Sequence, residues 1–538
     1  MRSIAYLILI LSLTSCFKSK PSNPFYDSIE VKKDKLHLIF SHNINGETHP
    51  CGCRHFPLGG LPQVAGKLNE LKSSGEVYLL DTGDLLFPSP NLPPTMKDSF
   101  TFGAKNLSDG MDKLGLKYFV PGDQDLALGI DFLKVLLKGS QYKLLVSNLV
   151  NPNLLPHKRI VIFEKGKSKV FMIGMVDPSI TTSKMSGHFT APSLAMPVLL
   201  EELKKIGFDQ KNKKHRLVLL SHSGMPNDQN LVKKFPQIDW VLGAHTQSFT
   251  KIPYEEGTTK LAQVLSRNHY LGEVQVELNE EKSKDTWVLH EIRDELKEKL
   301  SPNPFEAFIN NHKDEMKKIQ IQEQSTQGLG DNAGVKLNTA ASCIECHQPQ
   351  VDFWHDTSHS IAYATLINDN EEKNLTCIGC HSVGFQSNNG FMIPDELIVL
   401  DKEDKKEEQL KKIKEKYWAE VSEAFKDVGS IRKLPVKRIR KLSKDWLKRD
   451  ERNNVTHNFA NVQCLNCHDT LHQEHPFAIP PEISEQAKYE KMKENCLNCH
   501  IPDRSPEWYE TLENGKAGRP KEEYVRQKIK ELSCPKRE

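Results

Sequence analysis

The sequence predicts an α/β domain followed by a mostly helical domain with little regular structure. Short apolar runs alternate with amphipathic segments over residues 31–300, a pattern typical of α/β folds. Beyond residue 340 these runs become sparse, and four copies of a C-x-x-C-H motif stand there instead. A chain of 538 residues is also long enough for more than one domain.

The N-terminus predicts export. Arg2 precedes an apolar run over residues 4–13, which is too short to span a membrane and is typical of a secretory signal. The run ends in Leu13-Thr14-Ser15-Cys16, which resembles a bacterial lipobox. We therefore expect a lipoprotein signal over residues 1–16, lipidation at Cys16, and a tether over residues 17–30. An ordinary signal with a chance cysteine is the alternative. Both kinds of signal place the protein in the cell envelope, facing the periplasm or the cell exterior. With a lipoprotein signal, the lipid anchor alone would hold it to the membrane.

Polar loops follow the predicted strands of the first domain. The strands are expected at residues 36–40, 77–80, 117–120, 143–146, 170–175, 217–220 and 240–242, and helices at 61–71 and 197–205. The loops include Asp81-Thr82-Gly83-Asp84, Gly122-Asp123-Gln124-Asp125, Ser221-His222-Ser223-Gly224 and Gly243-Ala244-His245-Thr246-Gln247. Asp and His side chains presented from successive strand ends predict a divalent-metal site. Singly, each loop has a plainer explanation as turn chemistry or a structural histidine.

This order of motifs resembles the calcineurin-like metallophosphoesterases, most closely the 5′-nucleotidase branch, over about residues 35–280. The resemblance implies a four-layer α/β/β/α sandwich that binds two metals, usually Mn, Fe or Zn. Asp84 matches the bridging aspartate of that family. His222 matches the histidine of the fourth motif, and His245 the first histidine of the last.

Several positions depart from the family pattern. Asn43, Asn45 and Gln247 stand where one metal has its ligands, and neutral amides bind transition metals poorly. Gln124 replaces the histidine that protonates the leaving group. Asp123 replaces an asparagine ligand and can still bind metal. We expect one divalent metal (Mn, Fe or Zn) on Asp84, Asp123, His222 and His245, and little phosphomonoesterase activity.

A thiol pair follows the altered first motif, in His49-Pro50-Cys51-Gly52-Cys53-Arg54-His55. Cys51 and Cys53 could hold a soft metal or form a reactive pair. A disulfide without chemistry is the alternative. Cys534 lies in a charged tail and is expected to be exposed.

The four C-x-x-C-H motifs predict covalent haem. In c-type haem both cysteines form thioethers with the macrocycle, and the adjacent histidine ligates the iron. A lone copy could be a zinc site or a redox pair, but four complete copies favour four haem c groups. The attachment residues are Cys343 and Cys346, Cys377 and Cys380, Cys464 and Cys467, and Cys496 and Cys499; the proximal ligands are His347, His381, His468 and His500; and the distal candidates are His355, His359, His457, His472 and His475.

The second domain is expected over residues 341–538, after a linker at 301–340. Charged residues 401–452 keep helical apolar spacing and predict solvated helices. A basic docking face for a redox partner over 432–452 is a second interpretation. The segment from Trp354 to Ala362 resembles tetrahaem cytochromes c that carry electrons from hydroxylamine oxidation, in which the histidine matching His359 is an axial ligand.

Together these features predict an exported, lipid-anchored tetrahaem cytochrome for electron transfer. Its N-terminal domain would bind or transform a redox substrate, for which sulfur compounds are one candidate class. The partner would be a redox protein or a quinol-linked cytochrome; the net charge of +2 gives no indication of nucleic-acid binding. One alternative is a phosphoesterase-like hydrolase with accessory haems, and another is a non-enzymatic electron conduit on an inactive scaffold.

Overall fold

A computed structural model describes most of the chain. The described residues are 23–50, 57–92, 96–181, 186–326, 337–344, 346–387, 389–400, 406–426, 428, 430–468, 483–512 and 517–535. Cys16, Cys51, Cys53, His472 and His475 lie outside these ranges. Within them, each helix is too short or too polar to cross a bilayer.

Two seven-stranded sheets form the N-terminal domain. The strands of the first are β2 (Lys35–Ser41), β3 (Glu76–Asp81), β4 (Leu116–Phe119), β5 (Lys143–Leu145), β6 (His157–Lys158), β13 (Tyr270–Glu277) and β14 (Thr286–Glu291), in the order β14-β13-β2-β3-β4-β5-β6. Those of the second are β1 (Tyr26–Glu30), β7 (Ile160–Lys165), β8 (Ser168–Val176), β9 (His215–His222), β10 (Trp240–Gly243), β11 (Tyr254–Glu256) and β12 (Thr259–Ala262), in the order β1-β7-β8-β9-β10-β12-β11. All seven predicted strands are confirmed.

Helices pack against both sheets. They are α1 (Leu61–Leu71), α2 (Lys97–Leu114), α3 (Ile130–Gly139), α4 (Pro192–Lys205), α5 (Met225–Lys234) and α6 (Pro304–Thr326). Strand β8 is buried on both faces: Val170 and Met172 join the core that α1–α3 share with both sheets, whereas Phe171 and Ile173 join the core under α4 and α5. This alternation follows from the two-residue period of a strand.

Two segments expected to be irregular are ordered. β1 pairs in parallel with β7, so residues 26–30 of the expected tether belong to a sheet. In the expected linker, α6 packs on α2, and Glu323 accepts a 2.9 Å hydrogen bond from the backbone N–H of Ser99. The polar sequence of α6 concealed its buried positions, which include Phe305 and Ile309.

The C-terminal region is mostly helical. Its elements are α7 (Ala340–Cys343), α8 (Gln348–Trp354), α9 (Tyr363–Asn368), α10 (Leu375–His381), β15 (Ile398–Leu400), α11 (Glu407–Phe425), α12 (Val436–Arg452), β16 (Val455–Asn458), α13 (Cys464–Cys467), α14 (Glu485–Cys499), β17 (Tyr509–Thr511), β18 (Ala517–Pro520) and α15 (Glu522–Glu531). The charged stretch is helical as expected. However, α11 and α12 bury Tyr417, Val421, Phe425 and Trp446 in the core that they share with the rest of the C-terminal region, so only their outer faces are solvated.

Candidate metal centre and haem attachment sites

Four predicted metal ligands meet where the two sheets present their strand ends. Asp84 and Asp123 follow β3 and β4 of the first sheet, and His222 and His245 end or follow β9 and β10 of the second. One ligand atom from each lies within 4.8 Å of the others. Asp84 and His245 adopt φ angles of 57° and 70°, which mark tight turns at these strand ends.

The spacing of the donor atoms fits one metal ion. Nε2 of His222 lies 3.4 Å from Oδ1 of Asp84 and 3.4 Å from Oδ1 of Asp123. Nδ1 of His245 lies 3.1 Å from that Asp123 oxygen. Tetrahedral coordination with bonds of about 2.0–2.2 Å separates donor atoms by about 3.3–3.6 Å. Nε2 of His222 is buried without a hydrogen-bond partner, as expected of a ligand atom.

Neighbouring groups hold His222 in a ligating orientation. Its Nδ1–H donates to the carbonyl oxygen of Thr82 at 2.7 Å, so Nε2 faces the carboxylates. Burial alone would lower the pKa of His222, but the charge of Asp84 and the nearby carboxylate of Asp123 raise it well above its usual value. Burial opposes ionisation of Asp123, yet His222 and His245 lower its pKa. The site therefore favours ionised carboxylates and a positive charge between them.

Amide groups cover the other side of Asp84. Nδ2 of Asn43 donates to Oδ2 of Asp84 at 2.7 Å, and Nε2 of Gln124 donates to the same oxygen at 3.1 Å. Oδ1 of Asn43 accepts the backbone N–H of His245 at 3.1 Å. Two N–H donors thus point at the oxygen through which an aspartate would bridge to a second cation. This arrangement does not favour a second metal.

Asp125 is a structural residue of the site that sequence reasoning did not identify. Its carboxylate accepts backbone N–H groups of Asp84, Leu86 and Gly122 at 2.7–2.8 Å. It thereby ties the loop after β3 to the loop after β4. The second aspartate of Gly122-Asp123-Gln124-Asp125 was the available signal.

The four C-x-x-C-H motifs share one local geometry. The backbone N–H of His347, His468 and His500 donates to the first cysteine of its own motif at 2.9–3.0 Å. In the second motif both cysteines and His381 lie within α10. One helical turn therefore brings each histidine beneath its cysteines, as a macrocycle attached at that turn requires.

Two proximal histidines have their Nδ1 atoms held by neighbouring oxygens. Nδ1 of His381 lies 2.7 Å from the carbonyl oxygen of Ala362, and Nδ1 of His500 lies 3.0 Å from Oγ of Ser505. Such contacts orient a ligating imidazole and direct Nε2 to the opposite side. The oriented imidazoles of His381 and His500, each next to its pair of cysteines, fit a haem iron.

Hydrogen bonds pack the four motifs against one another. The backbone N–H of Ala340, just before the first motif, donates to Oε1 of Gln463, just before the third, at 2.6 Å. Asn466 within the third motif donates to the carbonyl oxygen of Ser382, which follows the second, at 3.0 Å. Nδ2 of Asn495, just before the fourth motif, donates to the carbonyl oxygen of Cys467 in the third at 2.9 Å. The third motif therefore meets the segments of the other three, which nothing in the sequence indicates.

The distal candidates have different surroundings. The rings of His359 and His500 have centres 6.4 Å apart. Two imidazoles on opposite faces of one iron have centres about 6–6.5 Å apart, because each Fe–N bond is about 2 Å. His355 is buried, with Nδ1 2.7 Å from Oγ of Ser443. His457 is partly exposed in β16 and stacks on Phe459.

A cavity of about 810 Å³ lies between the two parts of the chain. It is lined by His49 and Arg267 of the N-terminal domain, by His312 and Met316 of α6, and by Cys377 of the second motif. Its volume is within the range of about 300–1,000 Å³ typical of ligand and cofactor sites. A cysteine expected to carry haem thus borders a cavity that opens toward the N-terminal domain.

Comparisons with known proteins divide the chain in the same way. The family model "Cytochrome c554 and c-prime" matches residues 342–402. The snake venom 5′-nucleotidase of Gloydius brevicauda is 28% identical over 207 residues, covering 36% of this chain and 32% of that protein. The uncharacterized metallophosphoesterase YunD of Bacillus subtilis is 25% identical over 256 residues, covering 45% of this chain and 50% of that protein. The chain thus spans about a third of the nucleotidase and half of YunD.

Solved structures include a 5′-nucleotidase precursor from Thermus thermophilus, at a TM-score of 0.44 and 15% identity, covering 62% of this chain and 66% of that one. The Thermus thermophilus sulfate thiohydrolase SoxB has a TM-score of 0.42 and 17% identity, covering 52% of this chain and 60% of that one. The N-terminal domain is metallophosphoesterase-like and 5′-nucleotidase-like, and it is fused to a cytochrome c-like region.

Proposed function

We propose that this fusion of a metallophosphoesterase-like domain to a cytochrome c-like region is an exported, lipid-anchored tetrahaem cytochrome for electron transfer. The observation that carries the proposal is the presence of four complete C-x-x-C-H motifs whose segments pack on one another around the third. Haem supplies a one-electron couple. Contact between the motifs supports electron exchange among them.

The chain's own histidines suit this role. We assign His359 and His500 as the axial pair of the fourth motif, on their 6.4 Å ring separation. A bis-histidine site has no open coordination position and therefore favours electron transfer over ligand binding. Stacking of His500 on Trp508, with ring centres 4.2 Å apart, restricts the ring.

The N-terminal domain, which we interpret as a four-layer α/β/β/α sandwich, would hold a single divalent ion (Mn, Fe or Zn). A Lewis acid on Asp84, Asp123, His222 and His245 would bind and orient an anionic substrate. Among the described residues, the amides of Asn43 and Gln124 donate to the Asp84 oxygen that would face a second cation. Gln124 also cannot donate the proton that a leaving alcohol needs. These features favour redox chemistry over hydrolysis, with small sulfur oxyanions as the candidate substrate class.

The primary test measures haem and metal content in the matured full-length protein. Pyridine haemochrome analysis should give four haem c per chain, and elemental analysis should give one further divalent metal. His222→Ala should lose that metal while keeping all four haems. Fewer than four haems would contradict the tetrahaem proposal. No metal beyond haem iron would favour an electron conduit on an inactive scaffold.

A second candidate function is phosphoester hydrolysis, which the retained donor set Asp84, Asp123, His222 and His245 favours. The test is phosphate release from nucleotides and p-nitrophenyl phosphate with added Mn or Zn. We expect no turnover above that of a control reaction without protein. Turnover abolished by Asp84→Ala would make the protein a hydrolase with accessory haems.

Membrane attachment is tested separately. Cys16→Ser should move the protein from the membrane fraction to the soluble envelope fraction without changing its haem content. Unchanged fractionation would contradict the lipid anchor.

A further inference from the structure

We infer that the outer face of α12 is the docking surface for an acidic electron-transfer protein, beside the segment that follows the first attachment motif. The inference rests on the proposed electron-transfer function and adds the partner's chemistry and its place of contact. Contacts, charge and surface shape each support it.

The N-terminal domain contacts the segments beside the fourth and second motifs. Arg267, 2.8 Å from Asp503, reaches the segment that follows the fourth motif. His49, 2.8 Å from Glu371, reaches the segment that precedes the second. The cavity beside Cys377 lies on this same side. Electrons exchanged with the N-terminal domain would therefore enter or leave by these two motifs.

Helix α12 contacts the segment that follows the first motif. Oγ of Ser443 lies 2.7 Å from Nδ1 of His355, which follows the first motif. Lys444 pairs with Asp352 at 3.1 Å, and Arg440 pairs with Asp356. The helix therefore covers the first-motif segment directly. A protein docked on its outer face would be separated from that segment by one helix.

The charge of α12 is strongly positive. Its 17 residues include eight Lys or Arg and three Asp or Glu. The neighbouring α11 has four Lys and five Glu, so a highly charged helix in this region need not be basic. Lys437, Arg438, Lys441 and Lys448 are exposed, and the structure shows no ion pair for them within its described residues. These four cations remain available to an anionic surface.

An apolar groove runs beside these cations. It has a volume of about 650 Å³ and is lined by Phe425, Pro435 and Leu442 together with Lys437, Arg438 and Lys441; Asp445 and Arg449 also border it. Val436, between the lining residues Pro435 and Lys437 in the sequence, is 54% exposed. An apolar centre with a charged rim is typical of protein–protein interfaces. The rim is almost entirely positive, which selects an acidic partner by charge complementarity.

The test follows electron transfer from the reduced holoprotein to plastocyanin, used as an acidic acceptor, by stopped flow at several salt concentrations. The wild-type rate constant should fall as salt rises, because salt screens the attraction. The variant Lys437→Glu/Arg438→Glu/Lys441→Glu should react at least about tenfold more slowly at low salt and lose this salt dependence. The variant Lys437→Gln/Arg438→Gln/Lys441→Gln, which removes the charges without reversing them, should show a smaller loss of rate.

A matched control separates local charge from net charge. Lys411→Glu/Lys412→Glu/Lys416→Glu on α11 changes the net charge equally and should leave the rate within about threefold of wild type. An equal loss in both triples, or a salt dependence that persists in the α12 triple, would overturn the docking surface. A holoprotein that transfers no electrons even to small mediators would instead refute the proposed function. Haem absorption spectra establish that each variant is folded.

Discussion

Individual carboxylates carry much of the local order, and Asp125 is the clearest case. It accepts three buried backbone N–H groups that define the loops bearing Asp84 and Asp123. Asp125→Ala would leave all three unpartnered, at about 1–3 kcal/mol each. We expect the free energy of unfolding to fall by roughly 3 kcal/mol or more, as measured by denaturant titration. The exposed Asp131→Ala is the control, with an expected loss below about 1 kcal/mol; similar midpoints for both variants would contradict this role.

Asp450 makes stability of the haem region depend on pH. Burial raises its pKa to about 7, although hydrogen bonds from Tyr417 and Asn458 lower it. The folded-state pKa of Asp450 exceeds the ordinary value of 3.8. The contribution of Asp450 to the free energy of unfolding is therefore complete below about pH 4 and is lost as pH rises through about 7. Asp450→Asn should therefore gain stability relative to wild type between pH 4 and 8, by at most about 4 kcal/mol. If the unfolding free energies of wild type and Asp450→Asn change with pH in parallel, this prediction is refuted.

At the scale of elements, one buried ion pair joins the two sheets. Nε and Nη2 of Arg216 in β9 donate to the two carboxylate oxygens of Asp285, which precedes β14, at 3.0 and 2.9 Å. Both side chains are at most 1% exposed. Arg216→Met would leave a buried carboxylate alone and should cost about 3–5 kcal/mol. Asp285→Leu added to it should recover much of that loss. Denaturant unfolding of the two single variants and the double variant tests this; a double variant less stable than both singles would contradict it.

At the scale of the whole molecule, Glu371 connects the N-terminal domain, α6 and the second attachment motif. It contacts His49 at 2.8 Å, Lys313 at 3.3 Å and Asn374 at 2.8 Å. Burial opposes its ionisation, but the hydrogen bond and charge of His49 and the charge of Lys313 lower its pKa to about 2. Its stabilising contribution is therefore present above its ordinary pKa and lost as pH falls from about 4.5 toward 2.

We expect Glu371→Gln to separate the unfolding of the two parts of the molecule. Calorimetry at pH 7 should show one unfolding transition in wild type and two in the variant. The wild-type protein should also show two unfolding transitions below about pH 4. The control is Asp503→Asn, which breaks an exposed pair with Arg267 and should change little, since surface pairs contribute about 0–1 kcal/mol. A single transition in Glu371→Gln would count against this coupling.

The sequence alone determined the features that depend on near neighbours along the chain. Strands such as β2 and β9 show as continuous apolar runs, because both faces of each sheet are buried. The C-x-x-C-H motifs are complete within five residues, since one helical turn brings cysteine and histidine together. Asp84, Asp123, His222 and His245 were identified because strand ends are local features and these residue types are the ones that bind divalent metals.

Tertiary structure alone decided which distant residues meet. The donation from Asn43 to Asp84 and the contact of His49 with Glu371 join residues 41 and 322 positions apart. The contact of the third motif with the second likewise depends on how separate motifs pack. The helix α6 was mistaken for a linker because its few buried residues have meaning only against α2. Such contacts arise when the whole chain packs, and a one-dimensional pattern cannot show them because each residue type there is equally common on an ordinary surface.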